Sequence, residues 1–214
     1  MGRKINANAI RMGLNKTWDS VWYARKANYP AIFAEDMRIK EVVLKKMNDA
    51  GIDNLGIKRT LNKVEVELHV ARPGVAIGRG GEGIDVLQKE LSRMCKKEVE
   101  IKIREVKKAD ISASIIAKSI AEGIQRRQPS KLLVASAKEK AMMAGAKGVR
   151  IWVSGRINNA SQARTVKANA GSVPAQTLKA DIDYAEATAK TLDAGLMGIK
   201  VWIYKGDKTE IEEE

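Results

Sequence analysis

The sequence predicts an α+β protein built from two small domains, and three observations carry that prediction. Residues 31–106 read, in order, as helix, strand, strand, helix, glycine loop, helix and strand. Residues 107–206 read as two helices followed by a small sheet, so helix and strand are segregated. Between two short helical segments of the first region stands Ile77-Gly78-Arg79-Gly80-Gly81, a turn that glycine's freedom at positive φ makes possible. A chain of 214 residues is long enough for two cores of this size.

Residues 1–30 are basic and irregular, with Trp18, Trp22 and Tyr23 close together, and read as an arm that packs on something else, as a peripheral strand covering the core, or as both. A helix is predicted over 32–50 from the spacing of Phe33, Met37, Val43, Leu44 and Met47, with Gly51 as its stop. A strand over 55–61 is followed by one over 63–70, where Val64, Val66, Leu68 and Val70 alternate with polar residues. Pro73-Gly74 opens a short apolar helical turn. The glycine loop follows, then a helix to about residue 96, then a strand over 98–104 through Val99, Ile101 and Ile103.

Lys107-Lys108-Ala109-Asp110 reads as a linker. Ile111, Ile115, Ile120 and Ile124 mark the first helix of the second region, and 132–143 the second. Three strands are expected around Val149-Ile151-Val153, Leu178-Ala180-Ile182 and Ile199-Val201-Ile203, forming an antiparallel sheet. The stretch 185–192 reads as helical. Residues 207–214 carry a charge of −4 in a chain that is otherwise +17, and read as a solvated, disordered tail.

Composition narrows the function. The net charge of +13 favours a polyanionic partner. Aromatic residues make up only 4%, which argues against a platform of stacked bases and for contact with phosphates and RNA shape. One cysteine (Cys95) and one histidine (His69) exclude an internal disulfide and an ordinary zinc site. Both read as ordinary members of a helix and a strand. No metal or cofactor is expected. No apolar run approaches the ~20 residues of a membrane span, and a cytoplasmic protein is expected.

The glycine loop has a specific chemistry. Glycine lets backbone approach a phosphate, and the helix after it turns its free N–H groups and positive dipole end to the same spot. With the basic Arg79 inside the turn this is an anion site. A P-loop would need Gly-Lys-Ser/Thr where Gly80-Gly81-Glu82 stands. A Rossmann fingerprint would need a preceding strand, where the sequence here is helical. The order of elements fits the KH module, whose GXXG loop clamps single-stranded nucleic acid. Gly78, Arg79, Gly80 and Gly81 are therefore the nucleic-acid-binding candidates.

Further basic residues group at Arg126, Arg127 and Lys131, at the junction of the two helices of the second region. Lys138, Lys140 and Lys147 continue beyond them. Gly155-Arg156 and Arg164-Thr165-Val166-Lys167 flank an irregular, loop-like stretch almost free of acids up to Lys179, suited to phosphate contacts in RNA grooves or else a simple hairpin connection. Asp181 and Asp183 are the best candidates for a Mg²⁺-dependent enzyme. No third ligand completes a site, and structural salt bridges are the favoured reading.

Five blocks carry a resemblance over nearly the whole chain. They are 72–81 (Arg72-Pro73-Gly74 through Gly81), Ala144-Gly145-Ala146-Lys147-Gly148, Val153-Ser154-Gly155-Arg156, Ala180-Asp181-Ile182-Asp183-Tyr184, and 198–206. In this order they resemble the bacterial small-subunit ribosomal protein three (S-three) family. The resemblance implies a type II KH domain (helix-strand-strand-helix-helix-strand) followed by the family's C-terminal α+β domain. It implies no enzyme activity and a place in the head of the small ribosomal subunit. The implied partners are small-subunit rRNA, mRNA in the channel by which it enters, and neighbours of the S-ten and S-fourteen families.

On that resemblance Arg126, Arg127 and Lys131 face incoming mRNA and help unwind it. Arg3, Lys4, Arg72, Arg156, Arg164, Lys167 and Lys179 bind rRNA. Of the family's dense basic cluster on the second helix, the matching residues here are Lys131, Leu132 and Ala135, and only the first is charged. Lys138 and Lys140 are candidates to compensate. The family's Gly-Arg-Leu-Gly-Gly-Ala turn reads Gly155-Arg156-Ile157-Asn158-Asn159-Ala160, and asparagine is expected to keep the left-handed turn. Lys179 stands where an arginine is usual, keeping charge without bidentate geometry.

Overall fold

The computed structural model describes residues 5–60 and 62–208. The described residues divide into two compact units, Trp18–Lys107 and a second one that joins residues 5–17 to residues 108–208. Two short elements open the chain, helix α1 (Ala7–Arg11) and strand β1 (Ser20–Val21). They belong to different units, so residues 5–30 do not act as one piece. Their first part completes the C-terminal unit and their second part adds an edge strand to the other. Arg3 and Lys4, and the acidic tail beyond Lys208, lie outside the described residues.

In the first unit, α2 (Tyr29–Lys46) is followed by β2 (Ile52–Arg59), β3 (Lys63–Val70), α3 (Pro73–Ile77), α4 (Glu82–Cys95) and β4 (Glu98–Glu105). The sheet order is β1-β2-β3-β4, with β2 and β3 antiparallel and β3 and β4 parallel. Alternation puts Val64, Val66, Leu68 and Val70 on the covered face, against Ile39, Val43, Leu87 and Leu91 of the helices. On α2 the sequence reading chose a mixed set of residues. Val43 and Met47 are buried, but Phe33, Met37 and Leu44 are exposed, and the core is met by Ile39 and by the carboxylate of Asp36. Cys95 is buried at the end of α4, and burial raises its thiol pKa, which leaves it unreactive.

The second unit holds α5 (Ala113–Gln125), α6 (Ser130–Met143), β5 (Gly148–Gly155), β6 (Arg164–Gly171), β7 (Ala180–Thr191) and β8 (Gly195–Asp207). Its sheet is antiparallel throughout, in the order β6-β5-β8-β7. Ile116, Ile120 and Ile124 of α5 pack with Val149, Ile151, Val153, Ile199, Val201 and Ile203 of the sheet. Two expectations are corrected here. Residues 185–192 are not helical: they continue β7, paired with β8 as far as Thr191↔Gly195. The alanines that suggested a helix are 185, 187 and 189. They alternate on the face that packs into the α5 core, where small side chains let helix and sheet approach. Residues 164–171 are a strand rather than a loop, an edge strand too poor in large apolar residues to be read as one.

Asp183 shows what holds this unit together. Its carboxylate accepts the Ala113 N–H at the start of α5 (3.0 Å) and pairs with Lys16 (3.4 Å) and Lys205 (3.6 Å). Burial raises its pKa, but Lys205, Lys16 and the Ala113 N–H outweigh burial and hold it below the ordinary carboxylate value. A depressed folded-state pKa stabilises above the unfolded value, about 3.9 for an aspartate. That stability is lost as pH falls through the folded pKa. Asp183→Asn is expected to cost about 1–3 kcal/mol at pH 7 and nothing below the folded pKa. Thermal unfolding of both proteins across pH 2–7 checks this, and an equal cost at every pH refutes it.

Candidate nucleic-acid interface

The glycine loop joins α3 to α4 through a turn at Arg79–Gly81. Gly78 has φ 74° and ψ −178°, a region that in practice only glycine occupies. A Cβ there would also stand 3.2 Å from the Gly83 nitrogen, so the two helices cross where neither residue has a side chain. Gly80 (φ 65°) and Gly81 (φ 86°) are left-handed, but a Cβ on either would meet nothing within 4 Å. The four loop residues thus divide. Gly78 is required by packing and dihedral, while Gly80 and Gly81 leave the outer surface open to a ligand.

Gly81 is the N-cap of α4 and supplies no side-chain acceptor, so the first N–H groups of a 14-residue helix have no capping side chain. Val75, Ile77 and Val86 are exposed apolar residues on the two helices beside the loop. Arg72 precedes α3 and is exposed.

The sequence grouped Arg126, Arg127 and Lys131, and all three sit at the α5–α6 connection. The Arg127 N–H donates to the Ile124 carbonyl (2.9 Å) and the Gln128 N–H to that of Gly123 (3.0 Å). This is the double bond pattern that closes a helix with a left-handed residue, and Arg127 is that residue, at φ 60°. A non-glycine residue there carries a cost of about 1–2 kcal/mol. Arg127→Gly is therefore expected to stabilise the C-terminal unit by about 1 kcal/mol while removing a charge, a combination that calorimetry alongside RNA binding will show. Arg127 faces Asp193 at 3.6 Å, and Arg126 faces Glu122 at 4.0 Å.

Along α6, Lys138 follows Lys131 by seven residues and so shares its face, while Lys140 follows by nine and points to the opposite side. Leu132, 67% exposed, occupies the solvent face.

The remaining candidates are spread over the second sheet. Arg156 turns back into its own loop: Nε donates to the Ala160 carbonyl (2.9 Å) and a terminal nitrogen to Asn159 Oδ1 (3.3 Å). Asn158 and Asn159 take φ 53° and 57°, the left-handed turn expected of them. Arg164 and Lys167 are exposed on the edge strand β6, with the Lys167 amine 5.0 Å from the Trp152 ring centre. Lys179 is exposed just before β7. Asp183 carries the ion pairs described above, and among the described residues no group of three His, Cys, Asp or Glu is arranged to hold a metal ion.

Sequence reasoning missed Arg11. This residue is 0% exposed and donates to four carbonyls: Ala180 from Nε (2.7 Å), Ala7 (2.9 Å), Thr177 (2.8 Å) and Ala175 (3.1 Å). Burial lowers its pKa, opposed by Asp181. A lone arginine in a basic N-terminus gives no signal that distinguishes it from its neighbours.

Fold and surface together define a KH-bearing, two-domain basic protein with an open glycine loop. Residues 38–111 match the family described as KH domain, and residues 120–203 that described as Ribosomal protein S3, C-terminal domain. The chain is 44% identical over 207 residues to the small ribosomal subunit protein uS3 of Gluconobacter oxydans, covering 97% of this chain and 91% of that protein. The uS3 of Beijerinckia indica is 44% identical over 210 residues (98% and 87%), and that of Desulforamulus reducens 41% over 207 (97% and 93%). The chain belongs to the uS3 family, whose members are structural ribosomal proteins and not enzymes.

Proposed function

We propose that this chain is a structural component of the small ribosomal subunit head that binds rRNA and lines the channel by which mRNA enters. What carries the reading is similarity to uS3 proteins across both domains, in order and over nearly the whole chain. The Gly78–Gly81 backbone and Arg79 clamp a nucleic-acid backbone. Arg72, Arg164, Lys167 and Lys179 contact rRNA phosphates. Arg156 acts mainly by fixing its own turn, as its two hydrogen bonds within the loop support. Arg3 and Lys4 are proposed as rRNA contacts on the sequence alone. Tyr29, Phe33, Met37 and Leu44 form an exposed apolar stripe on α2, suited to protein neighbours of the S-ten and S-fourteen families.

Arg126, Arg127 and Lys131 face incoming mRNA. Compensation for the uncharged Leu132 and Ala135 falls to Lys138 alone, because Lys140 lies on the other side of α6. Lys138→Ala is expected to slow unwinding of structured mRNA by assembled subunits several-fold, while Lys140→Ala leaves it unchanged. Equal effects would refute the assignment.

Gradient sedimentation of a lysate tests the reading. Stoichiometric migration with small subunits and whole ribosomes is expected, and a chain confined to the light fractions would overturn it. Binding of purified protein to the head domain of its rRNA should weaken linearly on a log–log salt plot. A flat response would rule out phosphate-dominated recognition.

A further inference from the structure

The loop 172–179 between β6 and β7 has almost every carbonyl engaged from within the protein. Those of Val173 and Pro174 accept N–H groups of Ala175 and Thr177. Those of Ala175 and Thr177, and that of Ala180 just after the loop, accept the buried Arg11 guanidinium. The Leu178 carbonyl accepts the Asn15 side-chain amide (2.6 Å), and that of Lys179 the Lys208 N–H (3.0 Å). With their negative ends committed, these carbonyls do not compete for a cation or repel an anion at the surface.

Three lysines are borne by neighbouring backbone at this end of the sheet. The Lys147 N–H donates to the Tyr204 carbonyl and its side chain runs beside Gly206. Lys208 is held to Lys179 through the backbone. All three are exposed. Among the described residues, Asp207 accepts the Tyr204 hydroxyl (2.7 Å) and Asp181 lies in the field of Arg11.

We infer that Lys147, Lys179 and Lys208 form a phosphate-binding site for RNA backbone, and that Arg11 and Asn15 act as positioning residues for it. The inference rests on the ribosomal reading above, which already gives Lys179 to rRNA, and adds to it Lys147, Lys208 and the two positioning residues. Arg11 is fully buried and cannot touch RNA, so any influence it has on binding passes through the loop. Its planar fork reaches several carbonyls at once, a geometry that a lysine amine cannot reproduce with the same charge.

The experiment measures binding of the full chain to the transcribed head domain of its small-subunit rRNA over a range of salt. Lys179→Ala should reduce the slope of log K against log salt by about 0.9, one phosphate contact. Arg11→Lys and the milder Asn15→Ala should reduce it in the same direction, although neither removes surface charge. In a Lys179→Ala background both should have no further effect. Asn15→Ala keeps the test informative if Arg11→Lys does not fold, which circular dichroism would show. Additive losses, or an unchanged slope in Asn15→Ala, would overturn the positioning role. An unchanged slope in Lys179→Ala would overturn the site while leaving the ribosomal reading intact. Wild-type protein that fails to bind the fragment would instead strike at that reading.

Discussion

Replacing Asp36 by alanine is expected to destabilise the KH unit by about 3–5 kcal/mol, because it strands a buried charge. Asp36 is 4% exposed and serves two partners. It accepts the Trp22 indole N–H at 2.6 Å and Arg59 Nε at 2.7 Å. Arg59 in turn reaches Glu35 at 2.9 Å, with its own side chain only 6% exposed. Burial pushes the Arg59 pKa down, but Glu35 and Asp36 outweigh that and raise it. Without Asp36, the guanidinium keeps one partner and the indole N–H keeps none of this pair. Urea unfolding should show a lower midpoint at an unchanged slope. Protease cleavage should also increase near Trp22, since this network ties residues before α2 to the domain. A loss below about 1 kcal/mol would place Asp36 among ordinary surface ion pairs.

Gly78→Ala and Gly80→Asp are expected to fail in opposite ways. At Gly78 the dihedrals alone cost about 1–3 kcal/mol for any other residue. The 3.2 Å approach to Gly83 adds to that cost, so the KH unit loses stability. Gly80 is left-handed with open space around it, and aspartate tolerates that conformation better than most residues. Gly80→Asp should therefore keep the unfolding midpoint within about 1 kcal/mol. Its carboxylate would stand where a phosphate is proposed to bind, and RNA affinity should fall at least tenfold. Full-strength RNA binding by Gly80→Asp would remove the loop from the interface.

The first unit was legible because its code is local. Strict alternation in β3 and the glycine loop each act within a few residues, whereas Gly51, left-handed as expected, closes the 3-10 turn Asn48–Ala50 and not α2, which ends at Lys46. The α5–α6 arginines were legible for the same reason, as adjacent positions at one connection. Residues 185–192 read as helical in the sequence because alanine carries little local preference for a strand, and only β8 beside them and α5 above them decide it. On α2, two apolar stripes compete, and periodicity alone does not say which one faces the sheet.

What the sequence determined by itself was the α+β class, the KH order of elements, the position of the glycine loop and the likeness to the S-three family. These rest on local dihedral preference, periodicity and charge. Tertiary structure alone decided that residues 5–17 belong with a domain more than ninety residues away. It also decided that one N-terminal arginine is structural. The physical reason is that a guanidinium's role depends on which acceptors surround it. Those surrounding Arg11 are backbone carbonyls at 175, 177 and 180, groups every residue carries and no sequence pattern marks.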